Sequence, residues 1–546
     1  MRGRLLFAAW LLVAVLFSVR GGLAERPLTA DNQLYFYLAE RAASGVPPHL
    51  SHVDSKNQLP SLLSAAGIRL SRAVGGDDVV ATRVVSIAIG ALSLAMIAEL
   101  AILLAGVTEA GVVAAVSLMA ARGFFVHAAM GSNSKVFMVV FLLLAHLAMA
   151  KPRGDGRRAR CLDWVAGVAA GSAFLCWQPG LLVVAAIAFE ALVARGGGWR
   201  RCARILVAAA APVIVYASWF ALHGALDEHV QQAYVMTLGS VHAMRSLGSS
   251  LHFVFTEVGG PLGPPRPVPM AFPLLVALTL VGAAIFPRRV LAVLRERGGL
   301  LSVLLTGIGA TVFTIYDHQG VPDLFFPAPY FALSAALLVA AAVRLGSRWT
   351  PRVVASLPAA VALVVLMRQI SADDEGIAIS GPTYTLAEQR AVADVVRLWH
   401  EEVGDVWVYG AVHLLGLAHL DNHVPYGLFY DDVLSVLSID EYLPLREARM
   451  PEVIVHTRGK LPGSPRYLES AYVEVTPPAF AAQGVRAWRR TAPQPAGIGG
   501  GDWRAFEAAP VLPAPTVLPP KGPRWEKPWV PSDEKRPAAV SPAARP

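Results

Sequence analysis

The sequence predicts a polytopic all-α membrane protein of about eleven transmembrane helices, with a small α/β domain on the extracytoplasmic side. Of its 546 residues, 55% are hydrophobic and only 16% are charged, and the mean hydropathy is +0.50. This composition is typical of membrane proteins. Apolar runs near the bilayer-spanning length of about 20 residues recur along the chain. The predicted spans are residues 5–19, 82–105, 110–130, 136–150, 162–176, 180–194, 204–222, 270–286, 299–316, 324–343 and 353–367.

The basic residues lie on one face of this arrangement when the spans alternate. The net charge is +8, and its basic clusters precede the first span and occupy residues 151–160, 195–204, 288–297 and 344–352. Short loops on the opposite face carry a single basic residue, Lys135. The positive-inside rule therefore predicts a multi-pass protein of the cell (inner) membrane with its N-terminus in the cytoplasm and its C-terminal domain outside. Since the charge marks topology, it does not indicate a nucleic-acid partner.

The first apolar run and the cysteines bear on processing. Residues 1–19 are compatible with a cleaved signal peptide, but no small-residue cleavage site precedes Arg20, which favours an uncleaved first helix. The three cysteines, Cys161, Cys176 and Cys202, lie outside the predicted extracytoplasmic domain. The sequence therefore predicts no disulfide framework in that domain.

The predicted membrane domain, residues 1–370, contains a large first exterior loop at residues 20–80. Apolar residues at helical spacing follow Asp31, which stands where a helix N-cap belongs. A second helix is predicted at Leu59–Ala73, with an apolar side suited to the membrane interface. A further long exterior loop, residues 223–269, ends in a segment rich in glycine and proline.

Residues 371–510 return to a soluble composition. They predict a helix from Thr385 to Glu402 and two short strands, 405–409 and 452–456, and hence a small α/β unit. The proline-rich tail, residues 511–546, is predicted to be disordered. The sequence shows no inverted hydropathy repeat, which argues against a transporter, and no phosphate-binding loop, which argues against a nucleotide-driven enzyme.

Two interpretations stand for each candidate residue of the first loop. Asp31, one helical turn before Tyr35, is either a general base or a helix cap. The polar cluster that contains His52, Asp54 and Lys56 matches no strong metal-ligand spacing, so no metal or other cofactor is predicted. Lys56 is either a ligand for an anionic headgroup or a solvated loop lysine.

The short loop after the ninth predicted span is polar as well. It contains Asp317, His318, Gln319 and Asp323 on the same predicted side as Asp31. Polar residues at the boundary of a span carry little energetic cost, so this loop is either structural or part of a site.

In these features the chain resembles the GT-C membrane glycosyltransferases, the superfamily of protein O-mannosyltransferases (glycosyltransferase family 39 type), aminoarabinose transferases and polyprenyl-phosphate-mannose enzymes. The resemblance covers roughly residues 1–480. It depends on Asp31 followed by Tyr35, and on the order and sidedness of several segments. These segments are DSKNQLPSLL, ATRVVSIAIGALSLAMIAELA, GSNSK, AGSAFLCWQPGLLV and DHQGVPDLFFPAPYFALSAALL.

The resemblance implies transfer of a sugar, such as mannose, from a polyprenyl-phosphate donor to a lipid, glycan or protein hydroxyl outside the cytoplasm. It implies that Asp31 is the catalytic base. Lys56, Lys135 and Arg266 would bind the donor phosphate. The implied substrate-binding residues are Tyr35, His52, Asp54, Asp317, His318 and Gln319.

The chain departs from the family pattern at three places. Asn32 follows Asp31 where the family often has a second acid, the lysine-proline-proline segment is replaced by KNQLP, and GSNSK lacks the acid often found before the fourth span. The alternatives are a non-catalytic membrane protein that binds lipid-linked glycans, and a transporter.

Overall fold

The computed structural model describes the chain in thirteen stretches. These are residues 24–29, 31–119, 121, 124–152, 156–194, 197–237, 247–257, 267–317, 321–345, 385–404, 406–422, 451–457 and 472–491. The first and last predicted spans, the proline-rich tail, and the candidates Arg266, His318 and Gln319 lie outside the described residues.

Three helices form the first exterior loop: α1 (Asp31–Ala43), α2 (Pro48–Ser51) and α3 (Leu59–Ala73). The predicted bounds of α3 are confirmed. Pro60 stands in its first turn, where the missing amide hydrogen costs no helical hydrogen bond. Helix α1 begins at Asp31 itself, so this carboxylate lies at the positive end of a helix dipole.

A bundle of mostly apolar helices follows. It consists of α4 (Asp78–Ala105), α5 (Thr108–Met119), α6 (Phe124–Met130), α7 (Ser134–Ala150), α8 (Gly156–Cys176), α9 (Leu181–Val193), α10 (Trp199–Leu222), α11 (Leu226–Val230), α12 (Leu247–His252), α13 (Pro267–Ile285), α14 (Pro287–Glu296), α15 (Leu300–Tyr316) and α16 (Ala328–Leu345). Short 3₁₀ or π turns occur at Gln178–Gly180, Gln231–Met236, Phe253–Glu257 and Val321–Phe325.

Each of the nine predicted spans within the described residues coincides with apolar helix. Helices α4, α8 and α10 are long and apolar enough to cross a membrane, and α14 with α15 makes a fourth if that bent pair is one span. Five further apolar helices are shorter, at 10–17 residues. The total of eleven spans therefore stays a prediction. The predicted span 110–130 contains two helices, α5 and α6, and in the sequence Arg122 and Gly123 interrupt the apolar run there.

Small residues allow α8 and α10 to pack closely. A Cβ atom added at Gly167 would lie 2.4 Å from the carbonyl oxygen of Ile205, and one added at Gly171 would lie 2.2 Å from that of Ala209. Glycines four residues apart on one helix face are a common means of close packing between membrane helices.

The two ends of the bundle carry different residues. At one end, Arg297 donates to the carbonyl of Leu104 (2.5 Å), and Glu190 accepts hydrogen bonds from the amides of Gly299 (2.6 Å) and Ser302 (2.8 Å). The described parts of the basic clusters 151–160, 195–204 and 288–297 belong to this end, which we call the basic end. The first exterior loop and the 3₁₀ turn Gln178–Gly180 lie at the other end, the site end. The side of the membrane that each end faces stays a prediction.

The C-terminal unit contains helices and strands, as predicted. Its elements are α17 (Leu386–Val403), β1 (Val406–Tyr409), α18 (His413–Ala418), β2 (Val453–Thr457), β3 (Tyr472–Glu474), α19 (Pro478–Ala482) and β4 (Val485–Arg490). The strand order is β1-β2-β4-β3, with β1 parallel to β2 and the other pairs antiparallel. Thr385 and Glu388 form a capping box at the start of α17. Strands β3 and β4 were not predicted, because β3 is only three residues long and β4 carries three arginines.

Candidate functional site

Helix α1 has two faces with different partners. Leu34, Tyr37 and Leu38 are buried in the hydrophobic core of the C-terminal unit, together with residues of α17 and of strands β1 and β2. Tyr35, one turn after Asp31, contacts the bundle instead, and its hydroxyl is 3.4 Å from the hydroxyl of Ser134 at the start of α7. The helix therefore lies between the C-terminal unit and the membrane bundle.

Asp31, Tyr35 and Lys56 lie together at the site end. The Lys56 ammonium donates a hydrogen bond to the Tyr35 hydroxyl (2.9 Å) and lies 4.0 Å from an Asp31 carboxylate oxygen. The Asp31 side chain is 37% exposed and that of Lys56 is 15% exposed. Burial raises the pKa of Tyr35 to about 12, although the Lys56 charge opposes this. The phenol of Tyr35 thus stays protonated near neutral pH.

Asp54 occupies a different environment a few residues away. It is 1% exposed, one carboxylate oxygen accepts a hydrogen bond from Gln58 (2.6 Å), and the other has no partner among the described residues. Burial raises the pKa of Asp54, and the Lys56 charge opposes that effect. Its backbone amide donates to the side chain of Gln232 (3.1 Å).

Two further histidines join His52 in the protein interior. Burial lowers the pKa of His52 to about 4, and its Nδ1 lies 2.6 Å from the carbonyl of Val53. His49 Nε2 lies 3.2 Å from the carbonyl of Asp54, so that nitrogen must be the donor. His49 Nδ1 is then an acceptor, and His229 Nδ1, 3.1 Å away, donates to it. The hydrogen bonds thus assign one tautomer to each of these two neutral rings.

Residues distant in sequence hold this part of the first loop in place. Gln178 donates to the carbonyl of Ser55 (2.9 Å), and so does the hydroxyl of Thr237 (2.9 Å). Tyr234 donates to the side chain of Asn57 (2.9 Å), and the Tyr216 hydroxyl accepts from the amide of Gln58 (2.7 Å). Sequence reasoning missed these residues and His229, since single polar side chains carry no local signal of a partner far along the chain.

Lys135 forms a buried ion pair with Asp323 and lies 4.9 Å from the ring centroid of Trp177. Its charge is therefore balanced by a carboxylate, and its role in binding the donor phosphate stays a prediction. Through its neighbour Ser134, this pair adjoins the cluster around Tyr35. The charges of Asp31 and Lys135 both act on His127. Its Nδ1 is buried and has no hydrogen-bond partner among the described residues. Asp317 lies at the end of α15.

Comparison with known proteins agrees with the fold predicted from sequence. Residues 60–221 match the model of the dolichyl-phosphate-mannose-protein mannosyltransferase family. No curated protein matches the chain by sequence. Several solved structures are similar to the chain, and the three described next are each less than a quarter identical to it.

The first is ArnT from Cupriavidus metallidurans bound to undecaprenyl phosphate, with 13% identity, 89% of this chain and 98% of that chain covered, and a TM-score of 0.58. The second is the Archaeoglobus fulgidus oligosaccharyltransferase in complex with zinc and sulfate, with 15% identity, 88% and 73% covered, and a TM-score of 0.51. The third is the arabinofuranosyltransferase AftD from Mycobacteria, with 14% identity, 90% and 40% covered, and a TM-score of 0.50.

Proposed function

Because the chain has the fold of the GT-C membrane glycosyltransferases, we propose that it transfers a sugar from a polyprenyl-phosphate donor to a hydroxyl acceptor outside the cytoplasm. The observation that carries this proposal is the Asp31 carboxylate, partly exposed at the site end and 4.0 Å from the Lys56 ammonium. A base beside a cation is the arrangement that such a displacement requires.

The proposed step begins with Asp31, which accepts the proton of the acceptor hydroxyl. The hydroxyl oxygen then forms a bond to the anomeric carbon of the donor sugar. The bond between that carbon and the phosphate oxygen breaks, and its electron pair leaves with the polyprenyl phosphate. Lys56 offsets the charge that develops on the phosphate. Tyr35 holds the Lys56 ammonium near Asp31 through its hydroxyl.

The nature of the donor is supported by similarity. The ArnT structure contains undecaprenyl phosphate, and the matching family model describes enzymes that use dolichyl-phosphate mannose. Both are sugar-carrier lipids of one chemical class. Mannose is accordingly the sugar that we propose to test first, with a glycan, lipid or protein as acceptor.

The test compares Asp31→Asn with a matched control, Asp394→Asn, in cells that lack the native chain. Asp394 is an exposed aspartate on α17 that pairs with Arg397 on the same helix. The amide keeps the size of the side chain but removes its basicity, so transfer should fall by roughly a hundredfold or more, whereas the control should be unaffected.

Surface glycans and glycoproteins are measured by mass spectrometry, and the amount of each variant in the membrane by immunoblot. Full transfer by Asp31→Asn at normal abundance would contradict the catalytic role and favour a glycan-binding scaffold. An unchanged glycan profile in cells lacking the whole chain would contradict the proposed function.

A further inference from the structure

Helix α14 differs from the other helices at the basic end. Its ten residues connect α13 to α15, and its axis is bent by 99° from that of α15. None of its residues is buried. If α15 crosses the membrane, α14 therefore runs almost parallel to the membrane plane.

The side chains of α14 divide into an apolar arc and a basic arc. At 100° per residue, Val290, Leu291 and Leu294 fall on one side of the helix. Arg288, Arg289 and Arg295 fall on the other side, with Glu296 as the single acidic residue. Leu291 is 47% exposed, and Val290 and Leu294 are half-buried, so the rest of the chain covers the apolar arc only in part.

The position of α14 excludes a place in the hydrocarbon layer. Helix α15 has 17 residues, which correspond to about 25 Å and suffice for a thin span without α14. Four charged side chains on α14 would each carry a large cost at membrane depth. A short amphipathic helix with arginines on its polar face is instead suited to the headgroup layer.

We propose that α14 lies in the headgroup layer at the basic end and binds anionic phospholipids through Arg288, Arg289 and Arg295. The apolar arc enters the edge of the hydrocarbon, and the arginines reach lipid phosphates. The choice of lipid as the partner depends on charge complementarity and on the position of α14 beside the end of a span, where headgroups are present in any bilayer. This inference does not depend on the proposed function.

The test is hydrogen exchange of residues 286–297 in the full-length protein, reconstituted in nanodiscs of phosphatidylcholine with or without phosphatidylglycerol. Each basic residue near an anionic surface contributes about a fivefold preference, so the anionic lipid should slow exchange by roughly tenfold to a hundredfold. The variant R288Q/R289Q/R295Q should lose this effect.

The matched control is R157Q/R158Q/R160Q, which removes three exposed arginines from the start of α8 at the same end. It should keep the lipid effect in residues 286–297, and inorganic phosphate added to neutral nanodiscs should not reproduce that effect. Equal exchange of the wild type in both lipids would overturn the proposal, as would an equal loss in both variants. Amide exchange in α7 and α15 reports whether each variant is folded. The comparison of wild-type exchange in the two kinds of nanodisc needs no variant.

Discussion

Two carboxylates of the first exterior loop show how environment separates residues of one type. Asp31 is partly exposed at a helix N-terminus beside Lys56. Asp54 is enclosed, accepts a hydrogen bond from Gln58, and has a pKa raised by burial. A base must be able to contact its substrate, so the partly exposed Asp31 is the better candidate, and the enclosed Asp54 has the environment of a structural residue.

Lys56 is the cation of the candidate site, and we predict that it makes a measurable contribution to donor binding. Losing a charge-assisted contact costs about 1.5 to 3 kcal/mol, so Lys56→Met should weaken apparent donor affinity by roughly tenfold to a hundredfold. Lys56→Arg should retain part of it, since the charge remains. Donor titration in nanodiscs measures the affinity, with Lys151→Met at the basic end as the control. Equal affinity in all of these proteins would remove Lys56 from the donor site.

His52 should make the stability of the protein depend on pH. Its pKa is lowered to about 4 by burial, whereas an unfolded histidine titrates near 6.5. At pH values between these two pKa values the unfolded state binds more protons than the folded state. The free energy of unfolding should therefore fall as the pH decreases from about 6.5 to 4, and His52 should contribute no further change below that window. The decrease in the free energy of unfolding would approach about 3 kcal/mol, because each unit of pKa difference corresponds to about 1.4 kcal/mol.

The measurement is the apparent melting temperature of the purified protein between pH 7.5 and 4.5. His52→Phe keeps a ring beside Tyr37 but cannot be protonated, so its curve should be flatter than that of the wild type. His223→Phe, at an exposed position, is the control and should follow the wild type. A His52→Phe curve parallel to the wild-type curve would show that this histidine does not contribute.

At the scale of elements, the C-terminal unit holds the segment that leads into α1. Gln389 of α17 is buried, accepts from the amide of Leu28 (2.8 Å) and donates to its carbonyl (2.9 Å). On the bundle side, Arg83 of α4 donates to the carbonyls of Arg26 (2.7 Å) and Pro27 (3.2 Å). Residues 26–28, which lie a few residues before the start of α1, are therefore held from both sides, which positions Asp31.

We predict that Gln389→Ala loosens this segment. The Leu28 carbonyl would still accept from Gln33 (3.0 Å), but its buried amide would lose its partner. That loss costs about 1–3 kcal/mol, which corresponds to roughly tenfold to a hundredfold faster amide exchange in residues 24–34. The measurement is hydrogen exchange with mass spectrometry. Gln483→Ala is the control, because Gln483 also donates a hydrogen bond to α17, in this case to the carbonyl of Glu388. Similar exchange of residues 24–34 in both variants would show that Gln389 does not position α1.

A second contact between these elements is an ion network around the buried Glu40. Glu40, Asp78 and His419 are close enough to hold a metal ion, but the Arg72 guanidinium already lies 2.7 Å from both carboxylates. Burial alone would raise the pKa of Glu40, yet the contacts of His419, Arg41 and Arg72 lower it below its usual value. Arginine thus supplies the cation here, and the network joins α1, α3 and α4 to the C-terminal unit.

At the scale of the whole molecule, the membrane bundle has chemically different ends. One end carries the basic clusters and α14, and the other carries Asp31, Lys56 and the C-terminal unit. Retention of basic residues on the cytoplasmic side would therefore place the candidate site outside the cytoplasm.

Labelling of intact cells with an impermeant thiol reagent should reveal this orientation. The native Cys161 is exposed at the basic end, so we expect it to react only after the membrane is permeabilised. A cysteine introduced as Glu401→Cys, at an exposed position on α17, should react in intact cells. The reverse pattern would invert the topology and, with it, the side on which the proposed reaction occurs.

The sequence by itself determined the apolar helices of the bundle and their order. Hydropathy predicted nine spans in the part of the chain that the structure describes, and each coincides with apolar helix, of which three or four are clearly long enough to cross a membrane. Periodicity predicted α3 and α17 within one residue. The apolar runs Val406–Tyr409 and Val453–Thr457 were identified as strands. These features are local: a run of side chains is enough to decide whether a segment is helical, extended or apolar.

Only the tertiary structure decided which side chains meet. Lys135 pairs with a residue 188 positions away, Asp54 binds Gln232 across 178 positions, and Leu28 binds Gln389 across 361. The sequence also does not predict that Asp31 is partly exposed whereas Asp54 is buried, since both belong to the predicted first exterior loop and have polar neighbours in sequence. Such contacts form because packing brings distant elements together, and a polar residue leaves no periodic signal of its distant partner.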